Sequence, residues 1–234
     1  MALFSHLLDL FFPPLCAGCG DVLQNAGEVV CARCCKSFPY TEHPTRADNR
    51  VSGLFTDIPK VSQAAALCVY EPESPFYQVI HNMKYHRRPE VGVWLGRNAA
   101  TRFLEQNQHW FEGIDLIVPV PLHKRRLKSR RYNQSELIAD GISQVTGIPV
   151  DTNHLMRIVD NPTQTQRTPA ERKLNTQGIF LLHNPDDFKN RHLLLVDDII
   201  TTGSTLRSAV SQLTPVRGLT VSVLTMGMAG DMKY

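Results

Sequence analysis

Two hydrophobic rhythms divide the chain. Up to about residue 106, apolar residues recur mainly at helical spacing. "PFYQVIHNMKYH" (75–86) puts Phe76, Ile80, Met83 and Tyr85 near one face, and "WLGRNAATRFLEQ" (94–106) reads as a second helix, with "AAALCVY" (64–70) a strand before them. From 114 onward, short continuous apolar runs alternate with amphipathic ones. "IDLIVPVPL" (114–122) is a strand of the kind buried on both faces, and "HLLLV" (192–196) is another strand. "NQSELIADGISQVTG" (133–147) and "STLRSAVSQL" (204–213) read as helices. Asn133 and Glu136 open the first of these as an N-x-x-E variant of the capping box, and Gly147 with Pro149 ends it. "IPV", "GIFLL" and "GLTVSVLTM" supply further short strands. Strands alternating with helices of about 10–15 residues predict an α/β fold: an open, mostly parallel sheet flanked by helices.

The N-terminal third reads differently. "MALFSHLLDLFFPPLC" predicts a short apolar helix over 1–12, stopped by Pro13 and Pro14. It has no basic leader and no small-residue cleavage site, so a secretory signal is not expected. No apolar run reaches the ~18–20 residues of a membrane span, and a cytoplasmic protein is expected. Residues 13–40 are rich in cysteine, and 41–62 form a polar connector punctuated by Pro and Gly. The expected division is 1–62 for the N-terminal helix, the cysteine module and the connector, and 63–234 for the α/β domain. Composition changes little: 42% hydrophobic and 20% charged residues suit a globular chain, and a net charge of +3 gives no global polycation.

"CAGC" (Cys16, Cys19) and "CARC" (Cys31, Cys34) make a C-x2-C-x11-C-x2-C pattern. Two such turns bring four thiolates to one point, which is the donor set of a structural zinc with no position left for water. Cys35 stands beside Cys34 and can replace it in the set, whereas Cys68 inside an apolar strand reads as a small core residue.

"HLLLVDDIITTGSTLRSAV" (192–210) carries Asp197 and Asp198 to the carboxyl edge of the sheet, where open α/β folds bind ligands. Adjacent carboxylates suit the paired hydroxyls of a ribose. Thr201, Thr202, Gly203, Ser204 and Thr205 lead into a helix and offer hydroxyls and backbone N–H groups to a terminal phosphate. The bland alternative is an acidic turn followed by an ordinary cap. A third feature is "KRRLKSRR" (124–131), six basic residues in eight, followed by Tyr132. Arg125, Arg126, Lys128, Arg130, Arg131 and Tyr132 are candidates for holding single-stranded DNA; the alternative is a solvated charged face.

The Asp–Asp–T-T-G-S-T loop resembles the signature that binds 5-phosphoribosyl-1-pyrophosphate (PRPP) in type I phosphoribosyltransferases. With the four-cysteine N-terminus, "KYHRRPE", "PVPLHKRRLKSRRYNQSELIA" and "RTPAERKLNTQGIF", nearly the whole chain is similar, in order, to the ComF family of competence-associated phosphoribosyltransferase-like proteins. That resemblance implies a type I phosphoribosyltransferase-like domain behind a small zinc module, with 63–112 as hood and first helices and 113–234 as core. It implies that Asp197 and Asp198 hold the ribose hydroxyls of PRPP or a related ribose phosphate. Residues 201–205 would hold its 5-phosphate, with Mg²⁺ bridging pyrophosphate and ribose. Val120, Pro121, Leu122, His123 and Lys124 become the pyrophosphate loop. Thr163, Gln164, Gln166 and Arg172 become members of a mobile lid, if 157–180 is not an ordinary surface loop. Lys84 and Tyr85 fall in the hood, where acceptor specificity resides. The family usually reads R-G-[FY]-N-Q where this chain has Arg130–Arg131–Tyr132–Asn133–Gln134, which argues against a tight left-handed turn at 131. The function implied is PRPP and single-stranded DNA binding in DNA uptake and natural transformation, alongside other DNA-uptake proteins. Two alternatives stand beside it. One is a non-catalytic nucleic-acid-binding scaffold that keeps the pocket as a sensor; the other is a phosphoribosyltransferase with an unnamed acceptor outside competence.

Overall fold

The computed structural model describes residues 13–25, 27–159 and 178–230. Four parallel strands make the central sheet in the order β1-β6-β5-β2: β1 is Val61–Tyr70, β2 Leu116–Pro119, β5 His192–Ile200 and β6 Thr220–Ala229. Strands β3 (Leu155–Arg157) and β4 (Phe180–Leu182) form a separate antiparallel pair. Because the four main strands run the same way, all their carboxyl ends share one edge.

Helices cover both faces. On one lie α2 (Pro75–Tyr85), α3 (Pro89–Gln106) and α5 (Gln134–Thr146); their Ile80, Leu95, Phe103 and Ile142 share a core with Leu194 and Val196 of β5. On the other, α6 (Ser204–Leu213) sets Leu206, Ala209 and Val210 against Leu193 and Leu195. The run Leu193–Val196 is therefore apolar without alternation because both of its faces are fully buried. Each such side chain contributes about 1.5–3 kcal/mol by burial.

The cysteine module, with its short helix α1 (Ala32–Lys36), joins the first of these cores. Cys16, Ala17, Leu23, Val29, Val30, Cys34 and Phe38 pack in the same cluster as α2 and α3. Asn82 of α2 donates to the Ala17 carbonyl at 2.7 Å, and Arg88 donates to that of Leu15 at 2.9 Å. The connector joins the other core through Val51 and Phe55.

Several elements differ from the sequence expectation. The basic stretch, to which the sequence pattern gives no element, forms one: Lys124–Arg130 is a short helix, α4, whose residues are good helix formers and whose start is capped by His123 Nδ1 accepting from the Arg125 N–H at 3.3 Å. Arg131 ends it in the left-handed conformation, φ 72°. The absent glycine thus did not remove the turn; arginine occupies it, with its N–H bonded to the Leu127 carbonyl at 2.7 Å. Helix α3 begins at Pro89 rather than 94, because proline suits a first helical position. Strand β5 does not stop before the acids: Asp197 still pairs with Thr225 of β6. Strand β2 is shorter than 114–122, although the Val120 N–H continues its ladder to the Val196 carbonyl at 2.8 Å. The helix expected over 1–12 and the lid candidates Thr163, Gln164, Gln166 and Arg172 lie outside the described residues.

Helices α3 and α5 cross with almost no side chain between them. A Cβ on Gly96 would stand 2.0 Å from the Ile138 carbonyl oxygen, and one on Gly141 2.1 Å from that of Val93. Since α5 positions one wall of the site described below, this contact matters beyond stability. Gly96→Ala and Gly141→Ala should each destabilise by roughly 1–3 kcal/mol, despite the better helix propensity of alanine. Chemical denaturation checks this; a stabilised variant would show that the helices are free to separate.

Candidate functional site

The carboxyl edge of β5 is where the site assembles. Asp197 is half-buried and receives two hydrogen bonds on Oδ1: from the Ser135 hydroxyl at 3.0 Å and from the Asp198 N–H at 2.8 Å. Burial, and then the neighbouring charge of Asp198, push the Asp197 carboxyl up to about 7. Asp198 points to a different partner, Lys84 Nζ of α2 at 3.0 Å, and both side chains are mostly buried. The acidic pair is therefore split, with Asp197 held by the α5 wall and Asp198 by the α2 wall.

Beyond the acids the chain turns through 201–203 into α6, and Gly203 takes φ 72°. Asp197, Thr201, Gly203, Ser204 and Thr205 line one small open pocket with Ile199, Ile200 and Leu206. The loop is braced from below by the connector. A Cβ on Gly203 would meet Leu54 Cδ1 at 3.2 Å. Arg207, in the first turn of α6, donates to the Leu54 carbonyl at 2.5 Å and forms a two-pronged ion pair with Asp57 at 2.7 and 2.6 Å. That guanidinium holds the Asp57 carboxyl down to about 2.

Residues 120–123 border the same edge. Val120 is tied to β5 through its N–H, and its carbonyl accepts from Asn133 Nδ2 at 3.1 Å. Asn133 also caps α5, accepting from the Ser135 N–H at 3.2 Å, while its amide donates to Glu136. The predicted capping pair is thus present, with Glu136 bonded to the cap side chain instead of the cap N–H. Asn133, Gln134 and Ser135 are all buried, and Gln134 Nε2 has no hydrogen-bond partner among the described residues. Ser135, Gln134 and the Lys84–Asp198 pair are site features that the sequence reasoning missed. The polar N-Q-S triplet at a helix start was the available signal for the first two; no local signal marks the third.

The basic helix stands beside this edge. Lys124, Arg125, Arg126 and Lys128 are exposed, and the Tyr132 hydroxyl donates to the Met83 carbonyl, tying the turn after α4 to the end of α2.

The four cysteines form a second centre. The sulfurs of Cys16, Cys19, Cys31 and Cys34 lie within 4.8 Å of one another, with 3.9 Å between Cys19 and Cys31. The Gly18 and Cys31 N–H groups donate to Cys16 Sγ, and the Cys34 N–H donates to Cys31 Sγ. Burial works to raise the Cys16 thiol, but backbone N–H groups led by that of Cys31 outweigh it and bring the thiol down to about 6. Cys35 lies outside the cluster, its thiol directed to the Val30 carbonyl. Cys68 is fully buried in β1. Four sulfurs in this arrangement can hold a metal ion, and their chemistry suits a soft-ligand tetrahedral site.

Comparison with known proteins bears on both centres. A family model described as phosphoribosyl transferase domain matches residues 133–226, from the cap of α5 through β6. "Competence protein F" of Haemophilus influenzae is 27% identical over 217 residues, 84% of this chain and 89% of that protein. The chain is similar to ComF proteins over most of its length. "DNA utilization protein YhgH" of Salmonella typhimurium is 31% identical over 150 residues, 64% of this chain and 65% of that protein's own length. "Competence protein ComFC" of Bacillus subtilis matches over 94 residues at 31%, covering 40% and 36% of the two chains. Among solved structures, a glutamine PRPP amidotransferase from B. subtilis is 21% identical, covering 62% of this chain and 30% of that one, with a TM-score of 0.40. The phosphoribosyl transferase domain match, with the parallel sheet, gives the type I phosphoribosyltransferase fold, and Asp197, Asp198 and the T-T-G-S-T loop lie at its carboxyl edge. Among the described residues no helix is long and apolar enough to cross a membrane.

The burial of Asp197 has a measurable cost. Its folded-state value near 7 lies above the ordinary 3.8, so the stability it carries is full below about 4 and is lost as pH rises through 7. Asp197→Asn, which keeps an acceptor for Ser135, should therefore gain melting temperature over the wild type progressively from pH 5 to pH 8. Paired thermal melts across that range check the sign; a constant difference would mean that Asp197 is ionised throughout.

Proposed function

We propose that this protein is of the ComF family, binds PRPP with Mg²⁺ at the carboxyl edge of β5, and acts in DNA uptake and natural transformation in the cytoplasm, in contact with single-stranded DNA. The observation that carries the pocket assignment is that Asp197, Thr201, Gly203, Ser204 and Thr205 line one opening, with Asp198 next in the same strand. Asp197 and Asp198 would take the ribose hydroxyls, and Thr201, Thr202, Gly203, Ser204 and Thr205 the 5-phosphate. Residues Val120, Pro121, Leu122, His123 and Lys124 border that edge as the pyrophosphate loop, with Thr163, Gln164, Gln166 and Arg172 assigned to a lid. Gln134, buried beside Ser135 with an amide nitrogen that has no partner among the described residues, is in keeping with a polar ligand, since buried donors are rarely left unmatched. When bound with PRPP, Mg²⁺ offsets charge on the pyrophosphate. In a transferase reaction the bond from C1′ to the pyrophosphate oxygen breaks as an acceptor nucleophile bonds to C1′. The protein's part would be positioning and electrostatic support of the cationic sugar.

A second reading, a nucleic-acid-binding scaffold with the pocket as sensor, is favoured by one observation: among the described residues, Asp197 is the single titratable group lining the pocket. The competence role rests on the names of the Haemophilus and Bacillus relatives, and DNA contact on the YhgH relatives and the basic helix.

The cysteine cluster is assigned to a structural zinc held by Cys16, Cys19, Cys31 and Cys34, within an N-terminal unit of 1–62 attached to the phosphoribosyltransferase-like domain 63–234. Zinc–sulfur bonds of about 2.3 Å place tetrahedral sulfurs roughly 3.8 Å apart, close to the 3.9 Å between Cys19 and Cys31.

Two expected outcomes follow from these assignments. Metal analysis should find one zinc per chain, lowered by Cys34→Ser and retained by Cys35→Ser; the reverse order would exchange the two cysteines. Calorimetric titration should show saturable, Mg²⁺-dependent PRPP binding that ribose 5-phosphate does not match. The double variant Asp197→Ala, Asp198→Ala should lose both the heat and any PRPP-induced rise in melting temperature. Equal stabilisation of variant and wild type would put the ligand elsewhere.

A further inference from the structure

Helix α2 has two unlike sides. Phe76, Val79, Ile80 and Met83 enter the core, whereas Tyr77, His81 and Tyr85, each four residues from the next, run along the outer side. With Tyr70 at the end of β1 they make one row of rings. Tyr70 and Tyr77 stack with centroids 5.0 Å apart, Tyr77 and His81 lie 6.3 Å apart and nearly parallel at 17°, and His81 and Tyr85 are 4.7 Å apart. Rings placed for core packing would be buried, yet Tyr85 is 62% exposed.

Both ends of the row are anchored to features already described. At one end, Tyr70 has its hydroxyl pushed up to about 12 by burial first, and then by the charges of Tyr77, Tyr85 and Asp198, so it stands in the field of Asp198. Lys84, adjacent to Tyr85 in the chain, holds Asp198. At the other end, the Arg130 guanidinium of the basic helix sits 5.6 Å from the Tyr85 ring centroid. The Tyr132–Met83 bond fixes α4 against the end of α2. A line of rings therefore runs from the pocket edge to a helix of closely spaced cations.

We infer that this row is a stacking surface for the bases of a single nucleic-acid strand whose phosphates lie on Lys128, Arg130 and Arg131, so that the strand runs toward the Asp197–Asp198 pocket. A single strand is the occupant because every nucleotide pairs one π face with one phosphate, the combination the row and helix α4 present side by side. A duplex keeps its base faces stacked inside and would meet only the cations. The inference rests on the DNA-binding reading above and gives it a location; Tyr132, with its hydroxyl committed to Met83, is not the stacking residue in this arrangement.

Fluorescence anisotropy with labelled oligo-dT, and with an abasic strand of equal length, tests it over a range of salt. Tyr85→Ala should weaken oligo-dT binding roughly 5- to 100-fold, leave the salt slope unchanged, and leave the abasic strand at wild-type affinity. Tyr85→Trp should restore the loss. Lys128→Gln should instead reduce the salt slope by about one for both strands. Tyr85→Ala that binds oligo-dT as tightly as wild type, or weakens the abasic strand equally, overturns the stacking surface while leaving DNA binding in place. Wild-type protein that binds neither strand overturns the DNA reading itself, and the separate PRPP titration stands apart from both results.

Discussion

Strand β5 has to be apolar on both faces along its length and acidic at its end. Leu193 to Val196 are fully buried between helices on either side, and the next two residues are carboxylic acids that still belong to the strand. Much of the surrounding architecture answers that conflict. Ser135 at the start of α5 supplies a donor for Asp197, and Lys84 at the end of α2 supplies a cation for Asp198. Both donors sit where they do because α2, α3 and α5 pack on one face, and α5 can reach that position because Gly96 and Gly141 let two helix backbones nearly touch. The acidic pair is thus the point at which sheet, helices and pocket constrain one another.

How far this was legible in the sequence depended on range. The acidic pair, the T-T-G-S-T loop and the cysteine register are each written within a few residues, and local chemistry assigns them positions without the fold. The parallel sheet was legible for the same reason: a strand buried on both faces has to be an unbroken apolar run. The Lys84–Asp198 pair joins residues more than a hundred positions apart, and a lysine ending an amphipathic helix looks like any solvated one. Arg131 was misleading in a more informative way. Glycine is the residue that a left-handed turn prefers, but a preference of roughly 1–2 kcal/mol yields when tertiary contacts hold the turn; here the Leu127 carbonyl and the docking of Tyr132 on α2 do so. The basic helix α4 carried no element signal in the sequence because its charges mask the period by which helices are recognised.

The cysteine module and the connector look like appendages in the sequence and act as parts of the core. Cysteine-module residues Ala17, Leu23 and Phe38 pack with α2 and α3, and connector residues Val51 and Phe55 pack beneath α6. A metal in the four-sulfur site would therefore fix more than the module, since Asn82 ties that module to the helix that carries Lys84 and the ring row, and Arg88 ties it to the start of α3.

The brace under the phosphate-type loop carries a different lesson. Arg207 grips both Asp57 and the Leu54 carbonyl, and Leu54 fills the space that any side chain at position 203 would need. The loop that looks in the sequence like a portable cassette therefore has its floor supplied by residues some 150 positions earlier. Grafting 197–205 alone onto another parallel sheet would transplant the ligand-facing atoms without the surface that shapes them. Inheritance of this site has to act on connector and loop together, and a change in either is a change in both.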